Sequence, residues 1–593
     1  MPKPRHNLAS SREYEQTIQP LVMGRRGAVA AGHFTATACG HRLLEQGGNA
    51  IDAGVGASIA LNVLLFDRTS FSGVAPIMIY DADKHSVVTF DGLGVWPALA
   101  RLEYFQEHHQ GHLPVGILRS VTPGAPDAYL SALAHHGRLT LGEVLEPAYE
   151  LAHDGAAISA GVAQGLKALA HRYDELDGEA QRIFFPGGSV PEAGQVLVQE
   201  DLAHTFKALM DEESRARKEG ASRTEGIMKA RDLFYQGWIA ERVAEYHQAH
   251  GSWMRYSDLA AHKVDVSPAL STNYHGYDVY TCGPWCQGPL LIQFLNILET
   301  FDLDIMEHNG SQYLHTILEA MHLALADREN YYGDPRCVEV PLDGLLSKAY
   351  AQQQAKRIIP ERACGEMPLP GNPWPFQGEN DRQVEPIDIE RYIAPGEMGR
   401  DTSYVAAGDQ WGNMFSATPS DPVFDTPIIP GLGFSCSGRG SSSRIHPNHP
   451  SALAPGKRPR LTPNPAMVLL EGRPLLAFGC PGGDIQTQGM LQFFLNLVHQ
   501  GCNLQAAVER PRVMSYNYPS TFAPFTYHPG RVEVEGRISS QTCTILEALG
   551  HDVRVIEDYA MSASSVHAVA INPMNGTWLA AADPRREGAA WAR

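Results

Sequence analysis

The apolar positions of the first ninety residues predict two buried helices between short strands. Gly27–Ala31 is an apolar run typical of a buried strand. Thr35–Gln46 carries apolar residues at helical spacing. The helix that follows Asn49 is apolar nearly all round, which predicts that it lies inside the protein. Ile77–Tyr80 and Ser86–Phe90 have the pattern of two strands joined by a polar turn, and we expect a β-hairpin there.

The middle of the chain is mostly helical in pattern. Helical periodicity runs from residue 125 to about residue 358, and Tyr274–Thr281 interrupts it as one alternating strand. A helix is predicted to resume over Leu290–Leu303. The dense charged run at 210–231 indicates a solvated helix face or a surface insertion.

Residues 364–401 separate this region from the last third of the chain. They are rich in proline and polar residues, which indicates a linker or exposed loop of the kind that proteases cut. The chain then becomes sheet-rich, with one helix predicted at Gly489–His499 and strands predicted at Thr402–Ala407, Met414–Thr418, Ala466–Leu470, Leu475–Phe478, Val566–Ile571 and Thr577–Ala581. This order predicts α and β layers stacked in one α+β unit.

Composition narrows the function classes. The 593 residues are 44% hydrophobic and 19% charged, which predicts a globular protein. A formal net charge of −19 argues against nucleic acid or an anionic membrane as a partner. Nine cysteines do not make a disulfide framework. Residues 1–26 lack the apolar core of a signal peptide, so we expect a mobile arm and a cytoplasmic location.

Several familiar cofactor and metal motifs are incomplete. Cys282 and Cys286 are separated by three residues, one more than a thioredoxin-like redox motif has. His108, His109 and His112 lie in a Gly/Pro-flanked loop without a zinc pattern around them. Neither a phosphate-binding loop nor a complete dinucleotide fingerprint occurs. We therefore expect no metal and no cofactor.

Two features of the last third suggest acyl-transfer chemistry. Pro481-Gly482-Gly483-Asp484 lies between a predicted strand and a predicted helix, where backbone N–H groups can form an oxyanion hole, although an ordinary tight turn has the same pattern. Thr402 stands where the linker runs into a strand. A threonine that becomes a new N-terminus gains an α-amine with a pKa of about 7.7–8.0, which can serve as its own general base.

The chain resembles the γ-glutamyltransferase family of N-terminal-nucleophile hydrolases from about residue 25 to its end. Several motifs occur in order, namely Gly47–Ala53, Val121–Ala125, Ala324–Tyr331, Gly333–Pro335, Thr402 ten residues before Gly412, Pro455–Pro459, Pro481–Gly483, Ala507–Arg512 and Ala582–Arg586. The serine-rich stretch after Gly438 is similar to a branch that includes oxamate amidohydrolase and glutamyltransferase-like acylases.

The resemblance implies an α+β fold, the αββα sandwich of N-terminal-nucleophile hydrolases. It implies a precursor that cuts itself between Asp401 and Thr402 into a large chain of 401 residues and a small chain of residues 402–593. Within the large chain, residues 27–401 follow the N-terminal arm of residues 1–26 and end in the linker. Thr402 would be the nucleophile and Ser420 would orient it. Gly482 and Gly483 would hold the oxyanion.

Four positions depart from the pattern of true γ-glutamyl enzymes. Ser442 stands roughly where those enzymes have a carboxylate for the substrate's ammonium group, and Thr462 stands where they have adjacent serines. Arg101 is only an approximate counterpart of their carboxylate-binding arginine. Arg439 instead offers a fork suited to a carboxylate.

The sequence therefore predicts a self-processing threonine amidohydrolase or acyltransferase that acts on a small, carboxylate-bearing amide. Two alternatives stay open, a genuine γ-glutamyl transferase or glutathione hydrolase and an unprocessed, non-catalytic member of the family. The expected partners are the amide substrate and the two chains of one precursor as a heterodimer, with a dimer of such heterodimers left open. Neither nucleic acid nor a membrane is expected.

Overall fold

The structure is a computed structural model that describes residues 7–11, 16–391, 393 and 402–593. Within these ranges the strands are β1 (Val22–Gly24), β2 (Gly27–Ala31), β3 (Ile77–Asp81), β4 (Ser86–Phe90), β5 (Ala156–Ala157), β6 (Val196–Leu197), β7 (Val266–Pro268), β8 (Leu270–Tyr274), β9 (Tyr277–Thr281), β10 (Val405–Asp409), β11 (Met414–Ala417), β12 (Ala466–Leu470), β13 (Arg473–Gly479), β14 (Val513–Ser515), β15 (Arg531–Glu535), β16 (Asp552–Ile556), β17 (His567–Ile571), β18 (Trp578–Ala582) and β19 (Ala589–Ala592).

The helices of the same ranges alternate with groups of strands along the chain. They are α1 (Phe34–Glu45), α2 (Ala50–Leu64), α3 (Leu102–His109), α4 (Ala125–His136), α5 (Leu141–His153), α6 (Ala160–Leu169), α7 (Gly178–Phe184), α8 (Glu200–Lys218), α9 (Arg223–Gln236), α10 (Trp238–Ala249), α11 (Tyr256–Ala260), α12 (Gly288–Leu298), α13 (Ser311–Tyr331), α14 (Leu342–Leu345), α15 (Lys348–Ala355), α16 (Gln486–Val498), α17 (Leu504–Glu509) and α18 (Ser540–Leu549).

Two seven-stranded antiparallel sheets form the centre of the molecule. One has the strand order β1-β18-β17-β13-β12-β9-β8 and the other β19-β2-β10-β11-β3-β4-β7. Alternate residues of β2 point to opposite faces. Ala28 and Ala30 lie in the apolar cluster between the sheets, whereas Val29 and Ala31 lie in the cluster shared with α2. The other sheet packs its outer face on α12, α13 and α16. The αββα sandwich that the resemblance implied is confirmed.

Each sheet combines strands from both sides of Thr402. β10 and β11 lie between β2 and β3 in one sheet, and β12 lies between β13 and β9 in the other. The helix-rich and sheet-rich parts of the sequence are therefore layers of one unit. The predicted boundary before Thr402 stays a prediction, and Asp401 lies outside the described residues.

The helix α2 is buried along all of its 15 residues, as its pattern predicted. Asn49 caps it by accepting from the N–H groups of Ile51 and Asp52, and the Asp52 carboxylate accepts in return from Asn49 N. This capping box satisfies N–H groups that would otherwise be buried without partners. In the described part of the chain, no helix is both long and apolar enough to cross a membrane.

Three predictions of local structure need correction. Tyr274–Thr281 is not one strand, because His275 and Gly276 adopt positive φ values of 49° and 91° and turn the chain between β8 and β9. The helix predicted to Leu303 ends at Leu298. The small sheet of β14, β15 and β16 was not predicted at all.

The predicted arm and linker are partly ordered against the body of the protein. Within residues 1–26, β1 pairs with β18, and the N–H groups of Ile18 and Gln19 donate to the Glu509 carboxylate. The described part of residues 364–401 contains only short 3₁₀ turns, yet Trp374 is buried and Arg382 lies 3.3 Å above its ring. Proline prevents regular structure in this segment without preventing packing.

We expect Gly54→Ala to destabilise the fold by about 1–3 kcal/mol, because a Cβ on Gly54 would lie 2.1 Å from Phe415 Cδ1. The matched control is Gly142→Ala in α5, where the nearest atoms lie at 3.9 Å and helix propensity favours alanine by up to about 1 kcal/mol. Urea unfolding of both variants measures the difference. Equal stability of Gly54→Ala and the parent would contradict the close packing of α2 on β11.

Candidate active site

Thr402 is held at the point where strands from both parts of the chain meet. It precedes β10 by three residues and is 1% exposed. The following residue, Ser403, donates from its backbone N–H to Pro419 O at 2.9 Å. Gly32, just after β2, donates to Tyr404 O at 3.0 Å. The backbone that follows Thr402 is therefore fixed by both neighbouring segments, and it holds the Thr402 side chain in the interior.

Ser420 is in direct contact with Thr402. The two hydroxyl oxygens, Thr402 Oγ1 and Ser420 Oγ, lie 2.8 Å apart. Ser420 follows β11 and donates from its N–H to Val74 O at 2.9 Å. A Cβ on Gly73 would lie 2.4 Å from Ser420 O, so only glycine allows this close approach. The structure thus brings together the two hydroxyls that the resemblance singled out.

Arg439 places a positive charge beside this pair of hydroxyls. Its Nη2 donates to Ser420 Oγ, and its Nε lies 3.2 Å from Asp421 Oδ1. Burial raises the pKa of Asp421 to about 6, although Arg439 opposes that shift. Ser437 Oγ also donates to Asp421 Oδ2, at 2.5 Å. The cation is therefore two hydrogen bonds away from Thr402 Oγ1 and polarises the Ser420 hydroxyl toward it.

Gly482 and Gly483 form a turn between β13 and α16. Their φ values are 123° and 61°, a region of backbone conformation that favours glycine. Gln287 Nε2 donates to Gly483 O at 3.1 Å, so a residue that precedes Thr402 in the chain restrains the turn. A Cβ on Gly482 would also lie 2.9 Å from Ile485 Cγ1. Both strain and space therefore require glycine at Gly482.

Gln486 joins this turn to Thr402, and sequence reasoning did not assign it a role. Its amide satisfies its neighbours when the nitrogen donates to Cys480 O at 3.3 Å and the oxygen accepts from Thr402 Oγ1 at 3.2 Å and from Gly483 N at 3.3 Å. The signal in the sequence was a polar residue at the first position of the helix that follows the glycine turn. Gln486 places the Gly483 N–H close to the Thr402 hydroxyl.

The remaining predicted site residues are placed differently. Ser442 lies in the same 3₁₀ turn as Arg439, and Thr462 follows Leu461, whose N–H donates to Trp285 O. Among the described residues, the hydroxyls of Ser442 and Thr462 are buried without a hydrogen-bond partner. Buried polar groups of this kind are usually satisfied by a ligand or water. Arg101 is exposed at the start of α3, and the structure does not bring it to Thr402.

Comparison with known proteins identifies the family. The family model described as gamma-glutamyltranspeptidase matches residues 36–592. The chain belongs to the γ-glutamyltranspeptidase family. It is 29% identical to a protein named glutathione hydrolase-like YwrD proenzyme from Bacillus subtilis, over 96% of this chain and 99% of that protein. It is 27% identical to the oxamate amidohydrolase proenzyme of Klebsiella pneumoniae, over 95% of this chain and 98% of that protein.

Solved structures agree with this assignment. The structure of LmbA2991HD superposes with a TM-score of 0.89 at 32% identity and covers 98% of this chain and 100% of that chain. The cephalosporin acylase from Bacillus halodurans superposes with a TM-score of 0.83 at 26% identity, covering 98% of each chain. This γ-glutamyltranspeptidase-family protein is an N-terminal-nucleophile hydrolase in fold and an amidohydrolase or acyltransferase in activity, as the sequence predicted.

Buried ion pairs fix the glycine turn of this family member. Asp484, next to Gly483, accepts from Arg328 Nη1 at 2.5 Å and from Thr521 N at 2.9 Å. Glu329, the neighbour of Arg328 on α13, accepts from Arg444 at 2.7 Å and from Arg460 at 2.8 Å. The helix α13 therefore holds both the glycine turn and two segments that precede it in the chain.

Glu329 is the carboxylate with which both Arg444 and Arg460 pair. Burial alone would raise its pKa, but Arg444 and Arg460 hold the pKa well below the ordinary glutamate value. Because the folded-state pKa is lowered, the stabilisation is present above the ordinary glutamate pKa and is lost as the pH falls toward the folded-state value. Loss of the Glu329 charge would leave two guanidinium groups buried without their carboxylate.

We expect Glu329→Gln to destabilise the γ-glutamyltranspeptidase-family fold by about 3–5 kcal/mol, since removing one partner of a buried ion pair leaves uncompensated charge. The control is Glu299→Gln, which breaks the solvent-accessible pair with Lys348 at 2.5 Å and should cost about 1 kcal/mol or less. Guanidinium chloride unfolding compares the two variants with the parent. Equal losses of unfolding free energy in both variants would show that the buried Glu329 pairs stabilise the protein no more than an exposed pair does.

Proposed function

We propose that the protein is a self-processing threonine amidohydrolase that acts on small amides with a carboxylate close to the scissile carbonyl. The observation that carries this proposal is the hydrogen-bond chain from Arg439 through Ser420 to Thr402 and on to Gln486. It supplies a nucleophilic oxygen, a polarised donor and a nearby cation in one buried place.

The first reaction is cleavage of the chain itself. Thr402 Oγ1 attacks the carbonyl carbon of Asp401 and its proton passes to the Thr402 nitrogen. The bond between that carbon and that nitrogen breaks, and an ester forms in place of the amide. Ser420, polarised by Arg439, donates to Thr402 Oγ1, which orients the attacking oxygen and stabilises it while its own proton leaves. Water then hydrolyses the ester, which leaves a carboxylate on Asp401 and a free α-amine on Thr402.

The free α-amine makes the mature site competent for a second amide. With a pKa of about 7.7–8.0 it is partly neutral near neutral pH and takes the proton of the Thr402 hydroxyl during attack. The N–H groups of Gly482 and Gly483 stabilise the oxyanion, and for this the Gly483 N–H exchanges its bond to Gln486 for one to the substrate oxygen. The leaving amine takes a proton, and water releases the acyl group as a carboxylic acid. The large and small chains act together in this mature form as a heterodimer.

The position of Arg439 favours a short acyl group. Two hydrogen bonds in series span at most about 6 Å, so a carboxylate held by this guanidinium would lie close to the carbonyl that Thr402 attacks. An oxamate-like substrate has that geometry. In a γ-glutamyl group, three carbons separate the α-carboxylate from the scissile carbonyl. Its ammonium group also needs a carboxylate partner, and at the corresponding position this chain has Ser442, which carries no charge.

Two relatives bear on the choice between hydrolysis of a small amide and hydrolysis of a γ-glutamyl bond. The Klebsiella pneumoniae relative is named an oxamate amidohydrolase, which supports the small-amide proposal. The Bacillus subtilis relative is named glutathione hydrolase-like, which favours γ-glutamyl hydrolysis as the second candidate. The buried hydroxyls of Ser442 and Thr462, unpartnered within the described part of the chain, suit neutral polar groups of either substrate.

We expect the purified protein to run as two chains, of 401 and 192 residues, on a denaturing gel. Thr402→Ala should run as one intact chain and be inactive, because the same oxygen serves both reactions. The adjacent control is Ser403→Ala, which removes a buried hydroxyl that has no hydrogen-bond partner among the described residues, and it should cleave normally. An intact parent chain after prolonged incubation would contradict self-processing and favour a non-catalytic protein.

We expect kcat/KM to be highest for oxamate and to fall as the carboxylate moves away from the amide, through malonamate and succinamate. Oxamide, which has the same length without the charge, should be a poorer substrate by about 10- to 150-fold, the value of one hydrogen bond to a charged group. Ammonia release measures all four. A preference for glutathione over these amides would overturn the small-amide proposal and favour the second candidate.

A further inference from the structure

A cluster of metal-ligating side chains lies apart from Thr402, at the junction between α13 and the predicted small chain. His315, Glu319 and His322 follow one another on α13 at the spacing i, i+4 and i+7, which places them on one face of the helix. Cys364, at the start of the predicted linker, and His551, just before β16, complete the cluster. His315, Glu319, His322 and His551 are buried, whereas Cys364 is exposed.

The donor atoms are as close as a metal requires. His315 Nδ1 lies 3.0 Å from His551 Nε2, and His322 Nδ1 lies 3.1 Å from Glu319 Oε1 and 3.2 Å from Cys364 Sγ. Within each group of three that shares Glu319, the donors all lie within 4.8 Å of one another. Ligands of a tetrahedral zinc ion lie about 3.4 Å apart, so small side-chain shifts suffice.

The surroundings favour the metal-binding forms of the histidines. His315 Nε2 lies 2.9 Å from Ile359 O, so this nitrogen carries the hydrogen and Nδ1 presents its lone pair to the cluster. His322 Nε2 lies 2.7 Å from Ser515 Oγ, an outer partner of the kind that orients metal ligands.

We propose that this cluster binds one Zn²⁺-class transition metal ion through four ligands: Glu319, His322 and Cys364 from one group, and His551, which lies within 4.8 Å of Glu319, from the other. His315, in contact with His551, positions that ring. Imidazole, thiolate and carboxylate together are the donors of zinc sites rather than of magnesium or calcium sites. The exposed Cys364 gives the ion a route from solvent, and its thiol loses a proton on binding.

The ion would tie two parts of the chain together. α13 and Cys364 belong to the predicted large chain and His551 to the predicted small chain. The cluster also reaches the segment that supports the active site, because Ser515 contacts both His322 and Gln488 of α16. Metal binding therefore stabilises the junction whether or not the chain is cleaved. The sequence predicted no metal; the i, i+4, i+7 spacing on α13 was the signal that it offered.

The test is titration of the chelator-treated full protein with Zn²⁺, followed by elemental analysis after gel filtration. We expect about one zinc ion per chain and at least a tenfold weaker affinity in His322→Gln and in Cys364→Ser. Cys337→Ser, which removes another exposed cysteine of the same region, is the matched control and should bind as the parent does. Circular dichroism of the metal-free variants confirms that they are folded.

Replacement of zinc by Co²⁺ reports the ligands directly. We expect a thiolate-to-cobalt charge-transfer band in the parent and in Cys337→Ser, and its loss in Cys364→Ser. A parent protein that retains no zinc at micromolar concentrations would overturn the proposal. Undiminished binding in both His322→Gln and Cys364→Ser, or cobalt spectra without a thiolate band, would overturn it equally. None of these readouts depends on enzyme activity.

Discussion

The geometry of the active site depends on the ion pairs that the buried Glu329 carboxylate makes. Two arginines from the part of the chain that follows Thr402, Arg444 and Arg460, donate to this carboxylate in the protein interior. Taking three charges out of water is costly, and only their mutual attraction compensates for it. These ion pairs therefore favour one arrangement of the fold, in which α13 packs against the part of the chain that follows Thr402.

Arg328, beside Glu329, connects these ion pairs to the residues around Thr402. It fixes Asp484, and Asp484 fixes the turn that Gln486 joins to Thr402. Arg439 uses a second buried pair, with Asp421, to hold Ser420 against the nucleophile. Two buried ion pairs, Arg328–Asp484 and Arg439–Asp421, therefore restrain the glycine turn and Ser420 on either side of Thr402.

The sequence predicted the elements whose pattern is local. The buried α2 and the hairpin of β3 and β4 follow from spacing alone. The strand predicted to begin at Thr402 is also present, but it begins at Val405. β16 was missed because most of its side chains are exposed or charged, so its alternation is weak. Gln486 and the Arg439–Asp421 pair could not be predicted, since their contacts depend on how distant segments pack.

The mixed strand order has a consequence for how the protein can be made. In each sheet, strands from before and after Thr402 lie side by side, so neither part has a complete sheet of its own. Assembly is unimolecular only while the chain is continuous, and a cut ahead of Thr402 would turn any later refolding into a second-order encounter of two incomplete partners. Such a protein would persist through slow unfolding rather than through the ability to fold again.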